Sequence, residues 1–144
     1  MNFPILSSLI ILPTVGALFL LFSKDKNSNT GKYVALFTSF VNFLVSIYLW
    51  FLFDPTTSNF QFVEDREWLK GFINYKVGID GISILFIILT SLITPLCIIS
   101  VNNTVKDRLR DFLIAILVME SLMIGVFCSL DLVVFYLFFE AGLI

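Results

Sequence analysis

The amino-acid sequence contains no histidine, and only 14% of its 144 residues are charged, compared with about 25% in an average soluble domain. Without histidine, this chain offers no imidazole ligand for a metal ion and no Ser-His-Asp catalytic set. Its formal net charge is −2, and its basic residues form no patch of the kind that binds nucleic acid. The composition therefore argues against histidine-dependent hydrolases, histidine metal sites and nucleic-acid-binding domains.

Cysteine is also scarce, with only Cys97 and Cys128 in the sequence. No cluster of cysteine and histidine could hold a haem or an iron–sulfur centre, so we expect no redox centre in this chain. The two thiols are predicted near opposite ends of successive helices, roughly 20 Å apart at 1.5 Å rise per residue. Because a disulfide needs Cα atoms within about 7 Å, both cysteines are predicted to be free.

Apolar residues dominate the rest of the sequence: 58% of it is hydrophobic, and phenylalanine alone occurs 17 times. A soluble domain of this size has too little interior to bury so much apolar surface. Runs of about 20 apolar residues are long enough to cross ~30 Å of hydrocarbon as helices. The sequence therefore predicts an all-α fold, a polytopic bundle of transmembrane helices. The predicted spans are residues 3–22, 33–53, 79–101 and 112–130, with residues 132–144 as the incomplete start of a fifth.

The loop predicted to lie outside the membrane, residues 54–78, is long and rich in aromatic residues. It opens with the turn signal DPTTSN and continues with FQFVEDREWL, in which apolar and polar residues partly alternate. Such alternation is typical of a strand with one buried face. Part of this loop is therefore predicted to form a short hairpin on the membrane surface.

The fifth apolar segment, residues 132–144, reaches only ~20 Å as a helix, less than the hydrocarbon thickness of ~30 Å. A helix that ends inside hydrocarbon leaves its last carbonyl groups without hydrogen-bond donors. We therefore expect the sequence to be a fragment of a longer chain. The alternatives are a partner protein that continues the helix, or one half of a split subunit.

Basic residues flank the predicted spans unevenly. The loops after the first and third spans each carry three, which places six on one side, whereas the loop between the second and third spans carries three. Because basic residues favour the cytoplasmic side of a membrane, the amino terminus is predicted to lie outside, together with the 54–78 loop.

Two carboxyl groups lie inside the last two predicted spans, Glu120 in the fourth and Glu140 in the fifth. An ionised side chain in the middle of a membrane helix costs about 2.5–3.5 kcal/mol on insertion scales. The turn between these helices centres on residue 130, so at 1.5 Å rise per residue both glutamates lie about 15 Å from it. The sequence predicts two carboxyls at one depth near mid-membrane, without indicating whether they face each other.

These glutamates admit two interpretations. Removal from water and a nearby like charge both favour a protonated carboxyl, so the two could form a proton-carrying or cation-handling site. Glu140 is then the main residue and Glu120 a relay. Alternatively, each is a neutral acid whose hydrogen bonds only hold helices together.

The remaining polar residues have simpler interpretations. Asp80 and Asp131 precede apolar helices and are predicted to be N-caps. Asn42 and Ser46, inside the second span, are predicted to form hydrogen bonds between helices. The charged loop residues are predicted to be solvated and to set the orientation of the chain in the membrane; they are Lys106, Asp107, Arg108 and Arg110.

Two stretches of the sequence resemble a known family. VGIDGISILFIILTSLITPLCIIS and MESLMIGVFCSLDLVVFYLFFEAGLI are similar to segments of the subunit M family of bacterial NADH-quinone oxidoreductase, whose mitochondrial counterpart is NADH dehydrogenase subunit four. The motifs DGIS and FFE occur together in one hydropathy frame. The resemblance covers the whole chain and is strongest from Trp68 onward.

The resemblance implies the amino-terminal third of a larger antiporter-like fold in the membrane arm of respiratory complex I. It implies a proton channel whose key glutamate lies in the fifth helix, at the position of Glu140, and pairs with a lysine on a seventh helix that this sequence does not contain. Glu120 has no equally secure counterpart in the family. The implied location is a bacterial or mitochondrial inner membrane, with the amino terminus outside.

On this resemblance, the expected function is that of a proton-translocating subunit that couples electron transfer to proton pumping in an NADH:quinone oxidoreductase. The expected partners are the lipid bilayer and other membrane-arm subunits, without nucleic acid. NADH, flavin, iron–sulfur clusters and quinone are expected on other subunits, and no cofactor is expected on this chain. Two alternatives remain open: a subunit of a multi-subunit cation/proton antiporter, and a non-catalytic membrane scaffold.

Overall fold

The computed structural model describes residues 4–24, 29–101 and 107–143. Within these ranges the chain forms a helical bundle and one antiparallel hairpin. The elements in chain order are α1 (Ile5–Phe22), α2 (Asn29–Leu52), β1 (Gln61–Leu69), β2 (Ile73–Ile79), α3 (Gly81–Ser100), α4 (Leu109–Cys128) and α5 (Leu132–Leu143). Helices α1 to α4 are each long and apolar enough to cross a membrane. The predicted helical membrane bundle is therefore confirmed.

The ends of the helices differ from the limits of the apolar runs. Helix α2 begins at Asn29 and α4 at Leu109, several residues before the predicted spans, because helix propensity does not depend on hydrophobicity and polar residues continue a helix into the interface. Helix α3 begins later than residue 79 because Ile79 ends strand β2. Residues 3 and 144, the outer limits of the first and fifth predicted spans, lie outside the described residues.

Aspartates cap two of the helices. Asp80 Oδ1 accepts hydrogen bonds from the backbone N–H groups of Ile82 and Ser83 at 3.2 and 2.8 Å, and the bond from Ser83 is the main cause that holds the pKa of Asp80 below its ordinary value. Asp131 Oδ1 accepts from the N–H of Val133 at 2.8 Å at the start of α5. Both predicted N-caps are confirmed, and each satisfies amide groups that have no partner within their helix.

Helix α4 lies at the centre of the bundle and contacts each of the other described helices. Glycine permits close approach at two crossings. A Cβ atom on Gly16 of α1 would lie 2.7 Å from Cγ2 of Thr38 on α2, and one on Gly125 of α4 would lie 2.7 Å from the ring of Phe138 on α5. Small residues at crossings are typical of membrane bundles, because van der Waals packing is a main source of helix association in lipid.

The bundle interior is apolar at both ends. Near the hairpin, one buried cluster contains Leu6, Leu9, Leu49, Ile84, Ile87 and Ile124 together with Val77 and Ile79 of β2. At the opposite end, a second buried cluster contains Ala17, Leu20, Ala35, Ile98, Leu113 and Leu117. The outer surface of the helices is covered by large apolar side chains, as expected where helices face lipid tails. Polar side chains fill the level between the two clusters.

Strands β1 and β2 form the hairpin expected in the loop between the second and third spans. Gln61 pairs with Ile79 and Leu69 with Ile73, and Gly71 adopts a φ of 85° at the turn, a conformation that glycine reaches without strain. The hairpin also binds the α4–α5 connection, because the N–H of Leu130 donates to the carbonyl of Lys76 at 2.9 Å.

Glu64 of β1 attaches the hairpin to the first turn of α1. Its Oε1 accepts hydrogen bonds from the N–H groups of Leu6 and Ser7 at 3.0 and 3.2 Å, and the hydroxyl of Ser7 donates to its other oxygen. The hydroxyl of Tyr75 lies 3.0 Å from the same Ser7 oxygen, and burial raises the pKa of Tyr75, so the phenol stays neutral. An acidic residue at a helix N-terminus satisfies unpaired amides and complements the helix dipole.

Candidate functional site

A polar layer crosses the bundle between its two apolar clusters. Its buried members are Ser39, Asn42 and Ser46 on α2, Thr90, Ser91 and Thr94 on α3, and Glu120 and Ser121 on α4. Two hydrogen bonds show how the layer joins helices. Ser46 Oγ lies 2.8 Å from Ser91 Oγ, linking α2 to α3, and Ser121 Oγ donates to the carbonyl of Ile10 at 2.6 Å, linking α4 to α1.

Glu120 is the carboxyl group of this layer. Its exposed fraction is 1% and that of Asn42 is 0%. Asn42 Nδ2 donates to Glu120 Oε1 at 2.9 Å across the α2–α4 interface, so the predicted interhelical roles of Asn42 and Ser46 are both confirmed. Within the described residues, no lysine or arginine forms a salt bridge with Glu120. Because an unpaired charge is strongly disfavoured at this depth, this carboxyl is suited to binding a proton or a cation.

A groove of about 810 Å³ runs beside Glu120, between α3, α4 and the end of α5. Most of its walls are apolar, and Thr90 and Thr94 of α3 add hydroxyl groups. The last residues of α5 that the structure describes, Ala141 to Leu143, also line it. The groove therefore joins the level of Glu120 to the end of α5 that carries Glu140.

Glu140 lies on α5 and is exposed on the outside of the described bundle. Val134 is the buried residue of α5, and Phe135 and Phe139 stack along the helix with ring centroids 6.2 Å apart. Glu120 lies eight residues before the end of α4 and Glu140 eight residues after the start of α5, which puts both about 12 Å from the connecting turn. The two glutamates share a depth, but no side-chain hydrogen bond within the described residues joins them.

The charged segment before α4 matches the predicted solvated face only in part. Asp107 and Arg108 are exposed, and Lys106 lies outside the described residues. The side chain of Arg110 retains only 18% exposure, and its Nη1 donates to the carbonyl of Ser23 at 2.7 Å. The prediction was wrong for Arg110, because carbonyl groups at a helix C-terminus lack partners within the helix and attract cations.

Both cysteines are free, as predicted. Cys128 is buried in the apolar cluster near the hairpin, whereas Cys97 is exposed and lies on the wall of the groove. In the part of the chain that the structure describes, no group of three histidine, cysteine, aspartate or glutamate side chains is arranged to hold a metal ion.

Sequence reasoning did not identify Asn42 as the partner of Glu120, nor Glu64 as the cap of α1. The sequence does contain a signal for the role of Asn42. Ser39, Asn42 and Ser46 recur every three or four residues, which places them on one face of α2. Periodicity shows that such a face is polar, but it does not show which helix covers it. The second pairing joins residues more than fifty positions apart, and no local pattern marks it.

Comparison with known proteins places this chain in a family. No family model matches this chain, but curated relatives do. The chain is 44% identical over 140 residues to NADH-ubiquinone oxidoreductase chain 4 of Marchantia polymorpha, across 96% of this chain and 28% of the relative. It is 55% identical over 120 residues to NADH-quinone oxidoreductase subunit M of Rhodobacter capsulatus, across 83% of this chain and 22% of the relative.

A third relative, NADH-quinone oxidoreductase subunit M of Rickettsia prowazekii, is 41% identical over 148 residues, across 100% of this chain and 30% of the relative. The chain thus spans less than a third of the length of each of these relatives. The resemblance expected from the DGIS and FFE motifs is confirmed. Over that part of their length, the chain is a member of the family of NADH-quinone oxidoreductase subunit M and NADH-ubiquinone oxidoreductase chain 4.

Proposed function

We propose that this chain forms part of a proton-translocating membrane-arm subunit of a respiratory NADH:quinone oxidoreductase. The proposal rests chiefly on one observation: the carboxyl of Glu120 is buried at the middle of the helical bundle and accepts a hydrogen bond from the amide of Asn42. The names of the relatives, which are subunits of NADH-quinone and NADH-ubiquinone oxidoreductases, indicate the kind of complex. Ionisable side chains inside a membrane cost free energy and are therefore rare, and those that occur usually serve transport or catalysis. A buried carboxyl can carry a proton without any redox centre in the same chain.

In this proposal Glu140 is the main proton-carrying residue. The motif FFE supports this choice, because the family resemblance implies a key channel glutamate at the position of Glu140. Its side chain is exposed on α5, so it can meet a group from a part of the protein beyond the described residues, such as the lysine expected on a later helix. Glu120 then acts as a relay, and the groove along α3 and α4 supplies the space through which a proton reaches it.

The cofactors and partners follow from the same proposal. NADH, flavin, iron–sulfur clusters and quinone bind to other subunits, and this chain contributes no redox centre. Its partners are the lipid bilayer and the other membrane-arm subunits. The large apolar side chains on the outer faces of the helices are suited to both kinds of contact.

The proposed membrane is an energy-transducing inner membrane, with the hairpin end of the bundle outside. The basic residues Lys24, Lys32, Arg108 and Arg110 lie at the opposite end, which supports this orientation. The test uses Thr57→Cys and Asp107→Cys, two exposed positions at opposite ends of the bundle, each in a Cys97→Ser background of the complete subunit. An impermeant thiol reagent added to intact cells or mitoplasts should label only the Thr57→Cys protein. Labelling of only the Asp107→Cys protein would reverse the orientation.

The decisive experiment for the function is Glu140→Gln in the complete subunit, assembled in its complex. Proton translocation should fall by about 100-fold, the lower end of what a positioned proton-transfer group contributes, and coupled electron transfer should fall with it. The matched control is Glu67→Gln, which neutralises an exposed carboxylate on the hairpin and should leave both rates unchanged. Wild-type rates in Glu140→Gln would support a scaffold, and cation-dependent proton transport without NADH oxidation would support the antiporter alternative.

A further inference from the structure

Two buried oxygen atoms of the Glu120–Asn42 pair lack a hydrogen-bond donor. Asn42 Nδ2 donates to Glu120 Oε1 at 2.9 Å, but neither Glu120 Oε2 nor Asn42 Oδ1 has a partner in the part of the chain that the structure describes. Buried polar atoms without partners are rare in native proteins, and each one requires an explanation. Here both atoms belong to two groups that already share a hydrogen bond, so a single donor could satisfy the pair.

The proton of a neutral carboxyl is such a donor. A protonated carboxyl has one O–H donor and one carbonyl acceptor, and a primary amide has the complementary N–H donor and carbonyl acceptor. The two groups can therefore pair through two hydrogen bonds, from Nδ2–H to Oε1 and from Oε2–H to Oδ1. An ionised Glu120 only accepts hydrogen bonds, so it would leave Oδ1 of Asn42 without a donor.

Within the residues that the structure describes, no cationic side chain pairs with Glu120 in place of this proton. Helix α1 contains no titratable residue. The other elements packed around α4 carry Lys32, Tyr33 and Tyr48 on α2, Cys97 on α3, Tyr75 and Lys76 on β2, and Tyr136 and Glu140 on α5, and α4 itself carries Arg110, Asp111 and Cys128. None of these forms a hydrogen bond or a salt bridge with Glu120 in the described residues. Lys32 lies ten residues from Asn42 on the same helix, about 15 Å away along its axis.

We propose that Glu120 is a neutral acid in a two-bond pair with Asn42, and that Asn42 is the positioning residue for its proton. This inference rests on the proposed function and deepens it, because it makes Glu120 a proton-loaded site at mid-membrane. Release of the proton breaks the Oε2–H bond and transfers H⁺ to a water molecule in the groove. The carboxylate keeps its hydrogen bond from Nδ2 of Asn42, which holds it in place to receive the next proton.

The first test is infrared spectroscopy of the complete subunit in its complex at neutral pH, with ¹³C-labelled glutamate to identify the bands. Wild-type protein minus Glu120→Gln should show the carbonyl band of a hydrogen-bonded carboxylic acid. Asn42→Leu should move that band to higher frequency, because the amide partner is lost. Ser46→Ala, which removes a different hydrogen bond of the polar layer, should leave it unchanged. Carboxylate bands in place of the acid band would overturn the inference.

Exchanging the carboxyl and the amide between positions 120 and 42 shows whether the two groups pair through hydrogen bonds or only pack against each other. The double variant Asn42→Asp/Glu120→Gln keeps one acid, one amide and the same side-chain lengths, with the acid moved to α2. It should retain a hydrogen-bonded acid band that responds to labelled aspartate and no longer to labelled glutamate. Loss of the acid band in a correctly assembled double variant would contradict the two-bond pair.

Transport measurements test the role of the proton itself. Glu120→Gln forms an amide–amide pair with the same two hydrogen bonds, so assembly should be unchanged, while proton translocation should fall by about 100-fold. The double variant should recover part of this loss. Full translocation in Glu120→Gln would show that the pair only holds helices together. A silent Glu140→Gln with an intact acid band would instead reject the proposed function and leave the pairing in place.

Discussion

Glu120 and Glu140 occupy adjacent helices at about the same depth, and their surroundings are opposite. Glu120 is buried on α4 and receives a hydrogen bond from Asn42, whereas Glu140 on α5 is exposed. The difference follows from the helices that carry them. Helix α4 contacts all the other described helices, whereas the main contacts of α5 within the described residues are with α4 and strand β2. A polar residue on α4 therefore finds its partners within this part of the protein, and one on α5 depends on groups elsewhere.

This comparison predicts that replacing the two glutamates by leucine affects stability very differently. Glu120→Leu leaves the buried amide of Asn42 without its acceptor, so the free energy of unfolding should fall by about 1–3 kcal/mol. Glu140→Leu replaces a carboxyl that is exposed in the described part of the bundle, so the loss of stability should be smaller, and it should come from the group that Glu140 meets elsewhere in the protein.

The measurement is unfolding of the complete subunit in mixed micelles. Equal losses of stability in the two leucine variants would show that Glu140 is buried by the rest of the protein as firmly as Glu120 is here. A loss confined to Glu140→Leu would reverse the comparison and contradict the structure.

Two glycines extend the comparison along α4 and α5. Gly125→Ala would place a methyl group 2.7 Å from the ring of Phe138, so α5 must shift and the free energy of unfolding should fall by about 1–2 kcal/mol, in the lower part of the range for overpacking. Gly142→Ala meets nothing within 4 Å in the described residues and should be neutral or slightly stabilising in a helix. Unfolding of both variants in the same micelles checks this, and a strongly destabilised Gly142→Ala would show that another element packs on that face.

A third prediction concerns the hairpin end of the bundle. There Glu64 binds α1 from a distant part of the sequence, as Asn42 binds Glu120 of α4. Glu64→Ala removes the acceptor of two α1 amides, and we expect it to reduce stability by about 1 kcal/mol, the usual effect of losing an N-cap. Glu67→Ala, on the exposed part of the same strand, should change stability by less than about 0.5 kcal/mol. Hydrogen exchange at Leu6 and Ser7 should become faster only in Glu64→Ala. Equal exchange in both variants would mean that water replaces the carboxylate without loss.

The smallest expected effect concerns pH and the start of α3. Hydrogen bonds hold the pKa of Asp80 below 3.8, so its contribution to stability is present at neutral pH and is lost as the pH falls below 3.8 and through that lowered value. Asn caps helices about as well as Asp, so Asp80→Asn should change stability at neutral pH by only a few tenths of a kcal/mol. Unfolding of the two proteins from about pH 5 down to about pH 2 should show less acid destabilisation in the variant, chiefly below pH 3.8. Identical pH profiles would contradict the assignment.

Much of the fold could be predicted from local patterns. Apolar runs locate α1 to α4, and the aspartates at positions 80 and 131 mark the starts of α3 and α5. Alternation after DPTTSN indicates the hairpin. These features depend on residues within one or two turns of each other, so the sequence displays them directly.

The candidate site could be predicted only in part, because its pairings are not local. The position of Glu120 in an apolar helix indicates its importance, but its hydrogen bond to Asn42 depends on how α2 and α4 pack. The low exposure of Arg110 depends likewise on the end of α1 lying beside it. The exposure of Glu140 follows from the number of helices that surround α5, which a hydropathy pattern does not contain.

The attachment of Glu64 to α1 has a consequence for biosynthesis. Glu64 follows Leu6 by 58 residues, so the ribosome completes α1 and α2 before the acceptor for the first amides of α1 exists. In the orientation proposed above, those amides depend on water at the interface until the loop that contains the hairpin has crossed the membrane. The final position of the first helix is then fixed only after translocation of a later segment, and a delay in translocating that loop would leave α1 incompletely anchored in the newly inserted protein.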